Sequence, residues 1–116
     1  TQRLARLVGS GIAKELIYSA KNIKADEAYR IGLVNAVYPQ EELLPAAKKL
    51  ASKIAANAPI AVRQCKKAIN EGLQVSIKEG TDIECKCFGE CFETHDQKEG
   101  MGAFLEKRKE KNFTNN

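Results

Sequence analysis

No run of apolar residues in this chain of 116 approaches the ~18 that would span a bilayer, and no basic segment followed by an apolar one opens it. A membrane partner and a secretory leader are therefore not expected, and a cytoplasmic location is. Histidine occurs once, at His95, and the four cysteines, Cys65, Cys85, Cys87 and Cys91, have no second Cys/His cluster beside them. On a helix Cys87, Cys91 and His95 fall at successive four-residue steps, a spacing at which two side chains can clamp a metal from one face. A closed zinc site wants four ligands and small cysteines commonly pack in cores, so no metal site is expected. With no leader and three thiols crowded on one predicted helix, reduced cysteines are expected rather than disulfides. Methionine also occurs once, at Met101, so residue 1 is not a start codon and the chain is expected to be a fragment. Internal repeats and low-complexity segments are absent as well.

What is present fits one domain. A chain of this size typically buries roughly 65% of its unfolded surface, enough for a modest core. The net charge of +4 is mild, the kind of lysine excess found on solvated helical surfaces, although it also suits a ligand that bears phosphate. Arg63, Lys66, Lys67 and the Lys107 to Lys111 run carry no recognition motif, so no nucleic-acid partner is expected.

Hydrophobic periodicity reads as a succession of short helices. Leu4, Leu7 and Val8 fit an opening turn stopped by Gly9 and Gly11, and Ile12, Leu16 and Ile17 repeat at helical spacing after it. Ala25 to Ile31 makes a brief helix that Gly32 closes in the left-handed position. Leu33 to Tyr38, ended by Pro39, is the one strand-like segment. Leu43, Ala47, Leu50 and Ile54 then recur at steps of four, three and four, with Pro45 marking the first full turn. Ala58-Pro59 restarts the chain into a helix with Val62, Cys65 and Ile69 as its inner stripe and Gly72 as its stop. Ser76 and Glu79 match a capping box that opens a long helix to about Phe92. Thr94, Asp96 and Glu99 signal a last helix, with Met101, Phe104 and Leu105 on its apolar face and a basic end at Lys107, Arg108 and Lys109. The tail from Asn112 to Asn116 is expected to fray.

Four segments, in order, resemble the second half of a crotonase, the enoyl-CoA hydratase/isomerase family. They are Thr1-Gln2-Arg3-Leu4 with the residues to Gly9, Ala25-Asp26-Glu27-Ala28-Tyr29-Arg30-Ile31-Gly32-Leu33-Val34-Asn35 running on to Pro39, the Ala58-Pro59 restart, and Thr94 to Lys109 with its Gly100-Met101-Gly102-Ala103-Phe104-Leu105-Glu106-Lys107 core. One departure is Lys24, where many relatives place a serine able to cap the following helix. The resemblance implies a mainly α chain: the C-terminal helical trimerisation region of the crotonase α/β spiral fold, with one short strand. Residues 1–38 would end the spiral core and 39–116 would form the helical oligomerisation region, as trimers or dimers of trimers.

For function, the resemblance implies hydration of a short-chain 2-enoyl-CoA such as crotonyl-CoA, or the reverse dehydration of a 3-hydroxybutyryl-CoA. Two glutamates work on one water, two backbone N–H groups polarise the thioester carbonyl, and no cofactor is required beyond the coenzyme A thioester that is the substrate. Those groups lie upstream of Thr1 in the family, so no residue here inherits a catalytic role, and Glu15, Glu27, Glu41, Glu42 and Glu79 read as surface or capping residues. Ligand binding can be inherited. By position Phe88 and Phe104 match the family's rings around the adenine of a CoA held by a neighbouring subunit, and Lys107 matches a lysine near the phosphates. Core or trimer packing is the competing reading for both rings, and for Phe92 the preferred one. Isomerisation, thioester hydrolysis or carbon–carbon bond formation are alternatives on the same fold, and a non-catalytic oligomerisation module is an alternative of another class.

Overall fold

The computed structural model describes residues 1–116 and contains seven helices: α1 (Gln2–Val8), α2 (Ser10–Ser19), α3 (Ala25–Arg30), α4 (Gln40–Ala55), α5 (Pro59–Gly72), α6 (Ile77–Phe92) and α7 (His95–Leu105). The chain forms two compact units, Thr1–Lys48 and Lys49–Asn116, with the boundary inside α4.

In the first unit a single residue separates α1 from α2. Gly9 takes φ +84, a value glycine adopts without a Cβ penalty, and its carbonyl still accepts the N–H of Ala13 at 3.1 Å. Gly11 does not share in the stop, because it lies inside α2. Val8, Ala13 and Ile31 form the buried cluster, with Leu4, Ile12, Leu16, Ile23 and Leu33 packed around it. Helix α3 ends in a Schellman motif: the Gly32 N–H (φ +74) donates to the Tyr29 carbonyl at 3.1 Å and the Leu33 N–H donates to that of Ala28 at 2.8 Å. At the other end Lys24 caps with backbone alone and offers no side-chain hydrogen bond.

The segment Leu33–Tyr38 is not a strand but a bend followed by chain without regular structure. Apolar, β-branched residues become a strand only where their N–H and C=O groups meet a neighbouring strand, and the chain contains no other for them to pair with. Pro45 likewise lies deeper than its first-turn reading, in the second turn of α4. There the ring removes one helical hydrogen bond, to the carbonyl of Glu41, and α4 continues past it.

In the second unit α5 and α6 form an antiparallel helical hairpin. The Gln64 amide near the start of α5 donates to Glu90 near the end of α6, and at the closed end Gly72 lies against Gly80. A Cβ on Gly80 would stand 3.1 Å from the Gly72 carbonyl oxygen, so the crossing depends on having none. The capping box is present: Ser76 Oγ accepts the Glu79 N–H at 3.3 Å, and the Glu79 carboxylate accepts the Ser76 N–H at 3.1 Å. Such a cap is worth about 1 kcal/mol.

The inner stripes behave differently from their sequence reading. Neither α4 nor α5 has a buried residue; Leu50 is 58% exposed and Ile69 60%. The period is right and the faces are apolar, but the α5 stripe is only partly covered in the hairpin with α6, with Val62 half-buried and Ile69 exposed, and the α4 stripe stays exposed.

The two mid-helix glycines of α6 separate packing from propensity. Gly89 faces open space, so Gly89→Ala raises stability by about 1 kcal/mol through helix propensity, whereas Gly80→Ala lowers it because a backbone carbonyl stands in the way. Denaturant unfolding of the two variants of the full-length protein checks the opposite signs.

Candidate functional site

The two rings and the lysine singled out from the sequence stand on the second unit. Phe88 projects from the middle of α6 and is 64% exposed, and its ring centroid lies 4.9 Å from that of Phe92 at an interplanar angle of 60°. Tilted pairs at this separation attract one another, which fixes the Phe88 ring while leaving most of its surface bare. A cleft of ≈ 240 Å³ runs beside it between α5 and α6, walled by Cys65, Ile69, Cys87, Phe88 and Cys91. The buried Cys87 packs there, and Cys91 donates its thiol to the Cys87 carbonyl at 3.2 Å. Burial pushes the Cys91 thiol up, and its neighbours Cys65, Cys87 and Glu90 push the same way, so this is a packing thiol rather than a nucleophile.

Phe104 occupies the last turn of α7 and is 77% exposed. Lys107 follows just past the helix end. The structure thus brings Phe104 and Lys107 to one end of α7, whereas Phe88 stands on a different helix with Phe92 as its aromatic partner.

Lys107 has an unusual backbone. The close of α7 is a second Schellman motif, in which the Lys107 N–H donates to the Phe104 carbonyl at 3.2 Å and the Arg108 N–H donates to that of Ala103 at 2.9 Å. This motif needs a left-handed residue after the cap. At Gly32 that residue is glycine; here it is Lys107, at φ +57. A non-glycine residue in that region costs roughly 1–2 kcal/mol and persists where its surroundings dictate it.

Those surroundings are two carboxylates of α7. Glu99 receives the Arg108 guanidinium through two parallel bonds of 3.0 and 3.1 Å and the Asn112 N–H at 2.9 Å. Arg108 also bonds the Glu106 carboxylate at 2.5 Å and the Glu110 carbonyl at 3.1 Å. The guanidinium and the Asn112 N–H hold the Glu99 carboxyl down to about 2, and Glu99 followed by Glu106 pushes Arg108 above its ordinary range.

Asp96 does the same for the tail. It is 1% exposed, and its two oxygens accept the N–H groups of Thr114 at 2.7 Å and Asn115 at 2.9 Å. Burial opposes its ionisation, but those backbone bonds, the Thr114 hydroxyl and His95 outweigh it and the carboxyl titrates below the ordinary aspartate range. The Asn116 carbonyl returns the contact by accepting the His95 N–H at 2.8 Å, and Phe113 folds over Gly100. The tail is therefore anchored, not frayed. Asp96 and Glu99 were legible as helix-start residues; their grip on the tail gave no local signal, because its partners are main-chain groups up to 19 residues on.

This arrangement can offer a ligand two exposed aromatic faces and a lysine on a defined backbone turn, but no paired carboxylates or N–H cradle for bond making. The comparison with known proteins agrees with the sequence resemblance. A family model described as enoyl-CoA hydratase/isomerase matches residues 1–116. The chain belongs to that family.

Among enoyl-CoA hydratase/isomerase members, the chain is 57% identical over 115 residues to a short-chain-enoyl-CoA hydratase of Clostridium acetobutylicum, covering 99% of this chain and 44% of that protein. It is 60% identical over 109 residues to a crotonyl-CoA hydratase of Syntrophomonas wolfei, covering 94% of this chain and 42% of that one. The crystal structure of an enoyl-CoA hydratase from Bacillus anthracis superposes with a TM-score of 0.94 at 44% identity, over 99% of this chain and 44% of that chain. The chain thus spans less than half the length of these relatives, and its architecture is that of the helical C-terminal part of the crotonase fold.

Acid reports on the carboxylate grip. Glu99 binds a proton more weakly folded than unfolded, so its contribution is complete above the ordinary glutamate value of 4.5 and drains away as the pH falls toward 2. Thermal melts of the full-length protein should lose stability across that window, and Glu99→Gln should flatten the loss while lowering Tm near neutral pH.

Proposed function

We propose that the full-length protein is a short-chain enoyl-CoA hydratase, which adds water reversibly to 2-enoyl-CoA esters such as crotonyl-CoA. The observation that carries this reading is the identity of 55–60% to relatives named short-chain-enoyl-CoA hydratase and crotonyl-CoA hydratase over nearly the whole of this chain. The chemistry needs two carboxyl groups within reach of one water and preorganised donors for the enolate oxyanion, and no motif in these 116 residues supplies either. In this reading residues 1–38 end the spiral core, residues 39–116 form the oligomerising helices, and catalysis belongs to the rest of the subunit. The protein is cytoplasmic, requires no cofactor, and takes coenzyme A as part of its substrate.

The role of this part is to hold the coenzyme. Phe88 and Phe104 supply faces for the adenine and Lys107 a point charge for phosphate. The exposure of both rings supports that assignment, since a ring sunk in a core has no face to give. The bare stripes of α4 and α5 support a trimer or a dimer of trimers, in which they would be covered. A relative from Bacillus subtilis, 50% identical over 109 residues, is named a putative enoyl-CoA hydratase/isomerase, so isomerisation on the same fold is the second reading.

The absorbance of the conjugated thioester separates the two. Loss of that absorbance when full-length protein meets crotonyl-CoA is the expected result, and its persistence would move the assignment to another reaction of the family. Lys107→Ala is expected to weaken binding of the CoA ester and to leave the dephospho-CoA ester nearly unaffected; equal losses would remove Lys107 from the 3′-phosphate, the one phosphate that dephospho-CoA lacks.

A further inference from the structure

Lys107 is flanked by residues that one side chain ties together. Glu106 before it, and Arg108 and Glu110 after it, are joined by the Arg108 guanidinium, which bonds the Glu106 carboxylate at 2.5 Å and the Glu110 carbonyl at 3.1 Å. That guanidinium is itself anchored on α7 by the two-bond fork to Glu99. Planar fork pairs of this kind fix direction as well as distance, which a single point contact cannot do. The left-handed conformation of Lys107 lies at the centre of this bracket.

The same bracket controls charge. Two carboxylates lie close in sequence and space to the end of α7, and either could neutralise a lysine ammonium. Arg108 engages both, Glu99 and Glu106, and pairs with them at 3.0 and 2.5 Å. Lys107 pairs with neither of them, and its backbone is held in the left-handed conformation between them.

We propose that Glu99 and Arg108 are positioning residues for the coenzyme, a clamp that sets the direction of the Lys107 ammonium and keeps the neighbouring carboxylates from cancelling it. This rests on the reading of Lys107 as a phosphate contact. A clamp that only held the helix end together would affect every ligand alike. One that aims Lys107 affects only ligands that carry the phosphate Lys107 meets.

The test is steady-state kinetics of the full-length enzyme with crotonyl-CoA and crotonyl-dephospho-CoA, for Glu99→Gln, Arg108→Lys, Lys107→Ala and the double variant Glu99→Gln/Lys107→Ala. Glu99→Gln and Arg108→Lys are expected to raise KM for the CoA ester by roughly threefold to fivefold, the size of one partly exposed ion contact, with kcat little changed and the dephospho ester unaffected. The double variant is expected to match Lys107→Ala alone, because a clamp has nothing to aim once the lysine is gone. A parallel rise in KM for both esters, or additive losses in the double variant, would overturn the proposal. If Lys107→Ala separates the two esters and the clamp variants do not, the clamp fails and the phosphate contact stands. If Lys107→Ala fails to separate them, the 3′-phosphate contact fails and the clamp, which is proposed to aim Lys107 at it, falls with it. Arg108→Lys keeps a cation beside Glu99, so it decides the question even where Glu99→Gln does not fold.

Discussion

Two acidic side chains on the last helix organise everything beyond it. Asp96 and Glu99 project from the first turns of α7 and accept N–H groups from Asn112, Thr114 and Asn115, so the tail runs back along the helix that precedes it. A buried carboxylate without partners would be expensive, and main-chain N–H groups without partners would be too. Each satisfies the other. The path of the tail from Asn112 to Asn115 and the seat of Phe113 against Gly100 follow from that exchange.

This explains how the end of the chain can be well defined where little apolar surface is buried. Only Cys87, Asp96 and Ala103 are buried in the second unit, and the α5–α6 hairpin meets through a pair of glycines rather than a thick apolar layer. Directional bonds set the geometry there, and much of the apolar surface of α4 and α5 stays exposed. The first unit is the reverse, a small cluster around Val8, Ala13 and Ile31 closed by glycine turns. Family membership unites the halves: both belong to the one stretch of chain that superposes on the B. anthracis enzyme.

Much of the helical plan could be read from the residues themselves, because capping is local chemistry. Ser76 with Glu79, Thr94 before α7 and Gly32 after α3 each announce a helix end within four residues of it. What escaped was whatever depends on a partner distant in sequence. Leu33 to Tyr38 is short, apolar and closed by Pro39 like a strand, with no second strand in the chain to pair with. The stripe through Leu43, Leu50 and Ile54 is apolar at the right period, yet burial is a property of what lies opposite, and the sequence of α4 does not contain that. The ligand roles expected of Phe88, Phe104 and Lys107 came from resemblance alone; the pairing of Glu99 with Arg108, nine residues apart across a helix end, came only from the structure.

The anchoring of the tail has an evolutionary corollary. Its strongest bonds to α7 run through peptide N–H groups at 112, 114 and 115, which every amino acid except proline supplies. The side chain of Asn112 is therefore at liberty to drift while the path of the chain is preserved, whereas the Thr114 hydroxyl adds its own bond to Asp96 and the Asn115 amide oxygen accepts one from Arg63. The burden of sequence constancy falls instead on Asp96 and Glu99, whose carboxylates have no equivalent in the backbone. A segment that looks expendable in an alignment can thus keep its shape through residues written well before it.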